Sequence, residues 1–229
     1  MKISIIIPTL NEEGVIDQIV AFIRSSPDKY IEKEIIVADG KSSDATVMKA
    51  TAAGAKIINC SRASRAAQMN CGAAAATGDV LYFLHADSFP PENFALDIAN
   101  AVAQGYNSGC YRLAFDYDHW FLKFNCWFTR LNIDLIRFGD QSLFVAKEVF
   151  HKAGGFNEKL ILMEDQEIIS RIKKHARFKV LNKTVTTSAR KYLRNGVYRL
   201  QGIFTIIYFL YFLGFSQERL VKMYKRLIK

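Results

Sequence analysis

The chain has 229 residues, half of them apolar and only four of them proline, which argues against a disordered protein and allows one domain with a substantial core. Its four cysteines form no CxxC pair and no metal-like pairing with the four histidines, so they indicate reduced, mostly buried thiols of a cytoplasmic protein rather than a disulfide framework. The net charge of +9 lies almost wholly in residues 188–229, where nine basic side chains stand against the single acid Glu218, so it bears on the location of this tail rather than on the chemistry of the core.

Short apolar runs alternate with helical stretches through residues 1–90. The predicted strands are Ile3–Ile7, Glu34–Ala38, Lys56–Asn59 and Val80–Leu84, and the predicted helices are Glu13–Ser26, Ala45–Gly54 and Ala63–Thr77. The apolar run after Met1-Lys2 is too short for a signal-peptide core, which favours its interpretation as the first strand. Strict alternation of strand and helix favours βαβ units, with right-handed crossovers and a parallel sheet.

The pattern is less regular after Pro91. Helices are predicted at Asn93–Ala103, Trp120–Leu131 and Glu164–His175, and strands at Gly109–Phe115, Ser142–Ala146, Phe178–Leu181 and Thr184–Ser188. Residues 1–90 have the regular pattern of a nucleotide-binding half, and residues 91–190 form a mixed, acceptor half. This division indicates a donor site and an acceptor site on one continuous sheet. The prediction is a single α/β domain over residues 1–190, with a helical tail over 191–229.

The predicted strand Val80–Leu84 ends in the polar cluster His85-Ala86-Asp87, and Pro90-Pro91 cannot continue it. Ligands of open parallel α/β sheets collect at the carboxyl ends of strands, where this cluster lies. Asp87 offers hard oxygen ligands that suit Mg²⁺ or Mn²⁺ bound to phosphates. An aspartate here is also typical of a capped turn before a helix, and the residues alone leave both interpretations open.

Polar clusters also follow the first two predicted strands, at Pro8-Thr9-Leu10-Asn11-Glu12-Glu13 and at Asp39-Gly40-Lys41-Ser42-Ser43-Asp44. We expect one crevice lined by all of these strand ends. Asp39 could accept hydrogen bonds from a base or a ribose hydroxyl, or it could cap the helix that follows. Ligand binding is favoured for Asp39, and capping is favoured for Asp44.

Two common phosphate-binding loops are missing from the sequence. No GxGxxG follows the first strand and no GxxxxGK[ST] occurs anywhere, which disfavours a Rossmann dinucleotide site and a P-loop. A nucleotide would then be held by carboxylates, backbone groups and a metal. Arg62 and Arg65, at a helix start, could bind an anion that offsets their unfavourable place in the helix dipole. A solvated surface arginine is the alternative, and it suits Arg62 better than Arg65.

Five short signatures, in order and spacing, resemble the family 2 glycosyltransferases, and more narrowly a small bacterial branch whose metal motif reads Leu-His-Ala-Asp. The signatures are Pro8-Thr9-Leu10-Asn11-Glu12-Glu13, Asp39-Gly40 with Ser42, Asp44 and Thr46, His85-Ala86-Asp87, Gly139-Asp140-Gln141, and Glu164-Asp165. Each is weak alone, and together they cover about residues 1–190. The resemblance implies a GT-A fold, with a mostly parallel sheet and helices on both faces. It also implies a nucleotide-diphosphate sugar donor, a divalent metal, and inversion at the anomeric carbon.

The resemblance assigns the donor site residue by residue. The residues that would line the nucleotide pocket are Pro8, Thr9, Asn11 and Glu12, with Asp39 on the base. Asp87 corresponds to the last Asp of the family's DxD motif, which contacts the metal and the diphosphate. His85 stands where many members have the first Asp. The expected cofactor is Mn²⁺ or Mg²⁺. Imidazole binds Mn²⁺ but suits Mg²⁺ poorly, so the identity of the ion depends on whether His85 is a ligand or a hydrogen-bonded structural residue.

Glu164-Asp165 begins the predicted helix that carries Ile168, Ile169 and Ile172 on one face. The resemblance makes Asp165 the catalytic base, because an acceptor hydroxyl must lose its proton as it attacks the anomeric carbon opposite the leaving diphosphate. Inversion by a single displacement needs no protein nucleophile. Acids in a first helical turn are also favoured by the helix dipole, which is sufficient to explain Glu164.

Further residues are candidates for contact with the sugars or the diphosphate. The resemblance puts Asp140 and Gln141, together with Glu164, near the acceptor or the donor sugar, whereas a tight turn is the alternative for Asp140. Arg190 has a guanidinium that matches phosphate oxygens and could clamp the diphosphate. Its alternative role is simply the start of the basic tail.

Residues 202–215 are 14 uncharged positions, fewer than the ~20 that span a bilayer as a helix. They could form a core helix, an interfacial helix or a dimer contact. In Gln217–Lys229 the apolar and the basic side chains lie on different helical faces, which favours a membrane-surface anchor over a self-association helix. A further aromatic strip is predicted to lie in the core rather than to form a lipid groove. An amphiphilic acceptor would nevertheless explain both this strip and the apolar and basic tail. The strip is Trp120, Phe121, Phe124, Trp127 and Phe128.

Together these features predict an inverting, metal-dependent glycosyltransferase of the bacterial cytoplasm, at the inner face of the cell membrane. Its acceptor carries a hydroxyl, and a lipid-linked acceptor and a homodimer are both left open. A sugar nucleotidyltransferase is one rival, but its basic, Gly-rich loop after the first strand is replaced here by the acidic stretch 9–13. A membrane-associated or nucleic-acid-binding module is the other. The near-neutral charge of residues 1–187 disfavours it, and no nucleic-acid partner is predicted.

Overall fold

Eight strands form one mixed sheet in the computed structural model, which describes residues 1–28, 30–133 and 141–228. The strands are β1 (Lys2–Thr9), β2 (Glu32–Asp39), β3 (Lys56–Asn59), β4 (Val80–Phe83), β5 (Ser88–Phe89), β6 (Ser108–Phe115), β7 (Leu143–Ala146) and β8 (Phe178–Thr187). The helices are α1 (Ile16–Ser25), α2 (Thr46–Ala52), α3 (Arg65–Ala75), α4 (Phe94–Ala103), α5 (Trp120–Phe128), α6 (Lys147–Lys152), α7 (Glu164–Ile172), α8 (Arg190–Asn195), α9 (Val197–Phe212) and α10 (Gln217–Leu227).

The strand order is β3-β2-β1-β4-β7-β6-β8-β5. The first four strands in this order run parallel, as the alternation of strands and helices predicts. β7 is antiparallel to β4 and to β6, whereas β6 and β8 are parallel to each other. The parallel half therefore presents its carboxyl ends at one edge, and the mixed half continues the same sheet beside it.

The two strands predicted after Arg177 are one strand. β8 pairs with β6 from end to end, and a register shift between Tyr111 and Arg112 accommodates Asn182 and Lys183. This irregularity interrupts the alternation of faces, which is why the sequence pattern predicts two strands. The short elements β5, α6 and α8 are not predicted, because each has too few residues to show a period.

Two apolar layers cover the sheet. Ile5 and Ile7 of β1 pack with α1 and α4, whereas Ile6 between them packs with α3, α6 and α7. Helix α3 lies directly against β1, since a Cβ on Gly72 would come within 2.5 Å of the Ile6 Cγ2 atom. The close approach of this helix brings its first turn, with Arg65, to the edge of the sheet where the parallel strands end.

Helices α8, α9 and α10 follow β8 and pack on one another. Leu220 of α10 is buried against Ile203 and Ile207 of α9, so the predicted amphipathic helix turns its apolar face to α9. Leu200 of α9 is buried with Leu122 of α5. Across the described ranges, no helix combines the length and the apolar character that crossing a bilayer requires.

The prediction that the aromatic strip of α5 lies in the core is wrong. Trp120, Phe124 and Trp127 are 65%, 55% and 48% exposed, and Leu122 is the buried residue of this helix. The three aromatic residues share one face of α5, and Leu122 lies on the face that packs against α8 and α9. The aromatic face therefore points away from the protein.

Candidate active site

The carboxyl ends of β1 and β2 lie side by side, with Thr9 opposite Asp39 in the parallel register, and β4 pairs on the other side of β1. Gln68 of α3 ties the first two ends together. Its side-chain nitrogen donates to the carbonyl of Thr9 at 2.6 Å and to the carbonyl of Ala38 at 2.9 Å. The predicted convergence of polar strand ends on one edge is therefore present, and Pro8 is the next-to-last residue of β1.

Asp39 is 3% exposed, and its carboxylate is held within its own loop. Oδ2 accepts hydrogen bonds from the backbone N–H groups of Lys41 and Ser42, each at 2.9 Å, and Oδ1 accepts from the hydroxyls of Ser42 and Thr9. Lys41 has a left-handed backbone, with φ of 71°, as this tight turn requires. These contacts are local to the turn before α2 and do not reach the helix itself, and contact with a base stays a prediction.

The loops after β1 and β2 interlock. Asn11, at a left-handed φ of 57°, accepts the backbone N–H of Ser43 through Oδ1 at 2.9 Å. Asp44 accepts the N–H of Thr46 at the start of α2 at 3.0 Å, which is the capping contact expected of it. The Thr46 hydroxyl in turn accepts the N–H of Glu12 at 2.8 Å. These bonds fix the backbone from which the Glu12 carboxylate projects.

Arg190, the first residue of α8, joins the loop after β1 to the loop after β4. Its Nη2 atom donates to Oε1 and Oε2 of Glu12 at 3.0 and 2.8 Å, and it lies 3.2 Å from Oδ2 of Asp87. The backbone supports this approach, since the N–H of Ser188 donates to the carbonyl of Asp87 at 3.1 Å. Burial alone would lower the pKa of Arg190, but Glu12 and Asp87 together raise it. A permanent cation is thus held between two of the acids predicted for the donor site.

His85 lies within electrostatic range of Arg65 on α3 and of Asp87 after β4. Burial, followed by the charge of Arg65, lowers the pKa of His85 to about 3, whereas the carboxylate of Asp87 opposes this shift. The imidazole is therefore neutral at pH 7, which is the form that binds metal ions.

Arg65 extends from the first turn of α3 to the first turn of α7. Its Nη1 atom lies 3.2 Å from Oε1 of Glu164 and 3.7 Å from Oδ2 of Asp165. The Glu164 side chain is 2% exposed, whereas the Asp165 side chain is 18% exposed and can be reached from solvent. Met163 precedes both acids with a left-handed φ of 70°. Because the charges of Arg65 and Asp87 both act on His85, the two charged clusters lie within electrostatic range of each other.

Two predicted sugar-binding residues precede β7, and Asp140 lies outside the described residues. Gln141 is 1% exposed, and its amide nitrogen donates to the carbonyls of Tyr111 at 3.2 Å and Thr129 at 3.3 Å. These contacts link β6 to the end of α5, so the observed role of Gln141 is structural. Its contact with a sugar stays a prediction.

Asp87 and His85 fit part of a divalent-metal site. A carboxylate and a neutral imidazole suit Mn²⁺ better than Mg²⁺, and the guanidinium of Arg190 already pairs with Asp87. No cluster of three or more His, Cys, Asp or Glu side chains suitable for a metal occurs among the residues that the structure describes. A metal held here would therefore need further oxygen ligands from a bound molecule, such as a diphosphate.

Sequence reasoning misses several features of this site, among them Gln68 and the pair of Arg190 with Glu12. Gln68 is a buried amide in an alanine-rich helix, and its isolation on an apolar face is the only signal that it has a partner. The pair between Arg190 and Glu12 joins residues 178 positions apart, which no local pattern can indicate. Arg62, by contrast, is exposed and lies 3.6 Å from Oε2 of Glu158, as expected for a surface arginine.

Known proteins resemble this chain in sequence. The profile described as glycosyl transferase family 2 matches residues 4–157. Glucosyl-3-phosphoglycerate synthase of Mycobacterium tuberculosis is 31% identical over 97 residues, which are 39% of this chain and 30% of that protein. The synthase of Mycolicibacterium smegmatis is 32% identical over 98 residues, which are 39% of this chain and 32% of that protein. The match thus spans about a third of the length of these curated relatives.

Solved structures resemble it in fold. TarS of S. aureus in complex with UDP-GlcNAc has a TM-score of 0.67 at 18% identity, over 82% of this chain and 58% of that one. The mannosyltransferase PcManGT of Pyrobaculum calidifontis, with GDP-Man and Mn²⁺, has a TM-score of 0.68 at 17% identity, over 93% and 64%. Glucosyl-3-phosphoglycerate synthase of Mycobacterium tuberculosis has a TM-score of 0.62 at 16% identity, over 81% and 71%.

These likenesses confirm the predicted GT-A fold, in which one mixed sheet carries helices on both faces. Identities this low establish the fold alone, whereas the family profile covers well over half of the chain. The chain therefore belongs to glycosyl transferase family 2.

Proposed function

We propose that this chain is an inverting glycosyltransferase, which moves a sugar from a nucleotide-diphosphate donor to a hydroxyl acceptor. Membership of the family supports the reaction class. The printed ligands of the structural neighbours support the donor class, because they include UDP-GlcNAc, GDP-Man and UDP-Glc. Since those donors differ in both base and sugar, the proposal extends to the class of donor and not to one member of it.

The observation that carries the proposal is the pairing of arginines with carboxylates at the end of the sheet where the parallel strands terminate. Arg190 lies between Glu12 and Asp87, and Arg65 faces the two acids that begin α7. Such an array can bind an anionic diphosphate with its arginines and a cation with its acids. It also holds a carboxylate, Asp165, that solvent and an acceptor can reach.

In this proposal the loops after β1 and β2 hold the nucleoside, through Pro8, Thr9, Asn11 and Glu12, with Asp39 on the base. Arg65 and Arg190 contact the diphosphate, and the role proposed for Asp140, Gln141 and Glu164 is contact with the transferred sugar or the acceptor. Asp87 and His85 would hold Mn²⁺, the ion named in the complexes of two structural neighbours. When bound, the metal would neutralise negative charge on the departing diphosphate.

Asp165 acts as the base. Its carboxylate accepts the proton of the acceptor hydroxyl while the oxygen attacks the anomeric carbon from the side opposite the diphosphate. The bond from the anomeric carbon to the diphosphate oxygen breaks in the same displacement, which inverts the centre. Arg65, 3.7 Å from Oδ2, orients the carboxylate toward the crevice.

Thermal-shift screening of UDP-, GDP-, dTDP- and CDP-sugars, with and without Mn²⁺, tests the proposal. A ligand that binds only the native state at about 100 times its Kd adds about 2.7 kcal/mol of stability. For a chain of this size we expect the melting temperature to rise by about 5–10 °C for one base, and only with Mn²⁺. Asp87→Asn should remove the rise, and Asp118→Asn, an exposed change elsewhere, should not. No rise with any donor would contradict the proposal.

We also propose that the chain divides into a transferase domain, 1–190, and a helical tail, 191–229, that holds it at the inner face of the cell membrane. Arg219, Lys222 and Arg226 form the exposed basic face of α10 and would contact anionic headgroups. Tyr208 on α9 lies close to Gln166, the residue that follows the proposed base. This proximity supports a lipid-linked acceptor, because it brings the tail near the site of proton transfer.

Co-sedimentation with anionic vesicles tests the membrane proposal. We expect binding at low salt that weakens as salt rises, and weaker binding when Arg219, Lys222 and Arg226 are replaced by Gln. A protein that stays in the supernatant at low salt, or that forms a dimer through the tail instead, would contradict it.

A further inference from the structure

Helix α9 has one buried and one exposed apolar face. Tyr198, Phe209 and Phe212 lie along the exposed face, at 57%, 62% and 57% exposure, and Ile206 between them is 54% exposed. The opposite face, which includes Ile203, is buried against α10. An apolar stripe that runs the length of a helix in contact with water is unusual for a soluble domain and marks a surface that contacts something apolar.

The exposed faces of α5 and α9 join into one surface. The ring of Tyr198 lies 5.0 Å from the ring of Phe121 and 6.4 Å from that of Trp120, measured between centroids. The stripe of α9 therefore begins where the aromatic face of α5 begins. We use the name aromatic surface for the residues Trp120, Phe124, Trp127, Tyr198, Phe209 and Phe212.

The chemistry of the aromatic surface matches the interface of a bilayer. Trp and Tyr have an apolar body and a polar atom, and they concentrate at the level of lipid headgroups. Helix α9 has 16 residues and is about 24 Å long, shorter than the hydrocarbon core of about 30 Å. A helix of this length would lie along the membrane surface rather than across it.

The charge around the aromatic surface favours anionic lipid over a second copy of the chain. Residues 119–133 contain no acid, and the guanidinium of Arg130 lies 4.7 Å from the ring of Trp127. In residues 188–217, which include α8 and α9, Lys191, Arg194 and Arg199 are exposed and no acid occurs. Two copies joined through this surface would bring two such basic segments together, whereas anionic headgroups would neutralise them.

We infer that the aromatic surface is the face that docks on an anionic bilayer, with the side chains of α5 and α9 inserted at the headgroup level. The contact area is thus formed by two helices far apart in sequence. It lies on the side of α9 opposite to α10, so this docking is distinct from binding through the basic face of α10. The purpose of docking in this orientation depends on the proposed function, the transfer of a sugar to an acceptor. It would bring the first turn of α7 toward a lipid-linked acceptor, because Tyr208 of α9 lies close to Gln166 of α7.

Intrinsic fluorescence reports on this surface directly. The chain has two tryptophans, Trp120 and Trp127, and both belong to the aromatic surface. The full chain is titrated with vesicles of phosphatidylcholine and phosphatidylglycerol, with or without bromine on the acyl chains. We expect a blue shift on binding, and loss of roughly half of the emission or more in brominated vesicles, because interfacial side chains reach about 5–10 Å into the lipid. Vesicles of phosphatidylcholine alone should bind the chain more weakly.

Paired variants separate the aromatic surface from other exposed apolar residues. Phe124→Ser combined with Phe209→Ser should lower the vesicle partition coefficient about tenfold or more. Met48→Ser, a change of similar exposure on α2, should alter it by less than about twofold. Both parent residues are mostly exposed, so far-UV circular dichroism of the variants should match that of the parent.

Several outcomes would overturn the inference. One is co-sedimentation with vesicles without quenching of tryptophan, which would assign binding to α10 alone. A second is the absence of vesicle binding, and a third is an equal effect of the Phe124/Phe209 pair and of Met48→Ser on the partition coefficient. A fourth is a dimer, detected by light scattering, in which the tryptophan emission is already blue-shifted without lipid. The donor screen uses the protein without vesicles, so failure of the proposed sugar transfer is seen separately from failure of the docking surface.

Discussion

Arg190 and Asp87 form an ion pair, with 3.2 Å between Nη2 and Oδ2, that links the first turn of α8 to the residues after β4. The same nitrogen also binds both carboxylate oxygens of Glu12. A single guanidinium therefore lies where the proposed function requires a metal on Asp87 and a diphosphate beside it. Arg190 and a divalent cation would compete for the same carboxylate, whereas Arg190 and the diphosphate would attract each other.

Arg190→Gln should therefore change the affinities for metal and for nucleotide in opposite directions. Without the guanidinium, Asp87 and Glu12 attract Mn²⁺ alone more strongly, and we expect its Kd to fall about tenfold at most, as for a partly exposed ion pair. The nucleoside diphosphate selected in the donor screen loses a charge-assisted contact, and its Kd should rise about tenfold. Electron paramagnetic resonance of free Mn²⁺ and calorimetry with the nucleotide measure the two constants.

Arg194→Gln is the matched control for this prediction, because Arg194 is an exposed arginine of the same helix. It removes the same charge and should leave both constants within about twofold. Weaker binding of Mn²⁺ alone to the Arg190 variant would show that the guanidinium does not compete with the metal.

The carboxyl-end clusters could be predicted from the sequence because each is local. Asp39 and Asp87 each follow an apolar run directly, and the parallel topology brings such ends together. The pairing of Arg65 with the acids of α7 could not be predicted from the sequence, because it depends on how α3 packs through Gly72 and on the turn at Met163. Neither feature has a periodic signature.

The aromatic face of α5 shows the limit of periodicity in another way. Its spacing predicts a helix with one apolar face, and the helix is present. The same spacing does not tell which partner covers that face. Leu122 forms the contact with α9, and the face with Trp120 is left outside.

Arg65 should stabilise the fold through Glu164. Glu164 is 2% exposed, and an unpaired charge at such a position is costly. We expect Arg65→Met to lower the free energy of unfolding by about 1–3 kcal/mol, less than for a fully buried pair because Arg65 is 45% exposed. Adding Glu164→Gln should restore most of this loss, since the amide carries no charge. Urea unfolding of the two single variants and the double variant gives the coupling. Additive losses would mean that the pair contributes only packing.

Glu34 should make stability depend on pH at acidic values. Burial raises its pKa, but hydrogen bonds from Thr77 and Ser4, with the charge of Lys56, outweigh burial and lower the pKa from 4.5 to about 2. The ionised form is therefore favoured in the folded state. Its contribution is complete above about pH 4.5 and is lost as the pH falls toward about 2.

Glu34→Gln tests this dependence. A shift of this size corresponds to about 3 kcal/mol at most, and we expect about 2 kcal/mol at pH 7 because the side chain is 13% exposed. The difference between parent and variant should shrink steadily in urea unfolding at pH 5, 4 and 3. Glu32→Gln, an exposed neighbour on β2 that pairs with Lys2, should show little difference at any pH. A difference for Glu34→Gln that does not change with pH would contradict the assignment.

Asp165→Asn should abolish turnover while leaving the donor affinity nearly unchanged. The amide has the shape of the carboxylate but cannot accept the proton of the acceptor hydroxyl, so we expect the rate of nucleotide release in the presence of acceptor to fall by about 10²–10⁴-fold. Arg65 keeps a partner in the variant, because Glu164 lies 3.2 Å from the same Nη1 atom, and the fold should be preserved. The nucleotide Kd should stay within about twofold, since the base contacts the acceptor rather than the donor diphosphate.

Glu158→Gln is the control for this prediction, because it removes a surface acid beside Arg62 and should alter neither the turnover rate nor the nucleotide Kd. Full turnover in the Asp165 variant would assign the proton transfer to another group, and a large loss of nucleotide affinity would assign Asp165 to the donor site instead.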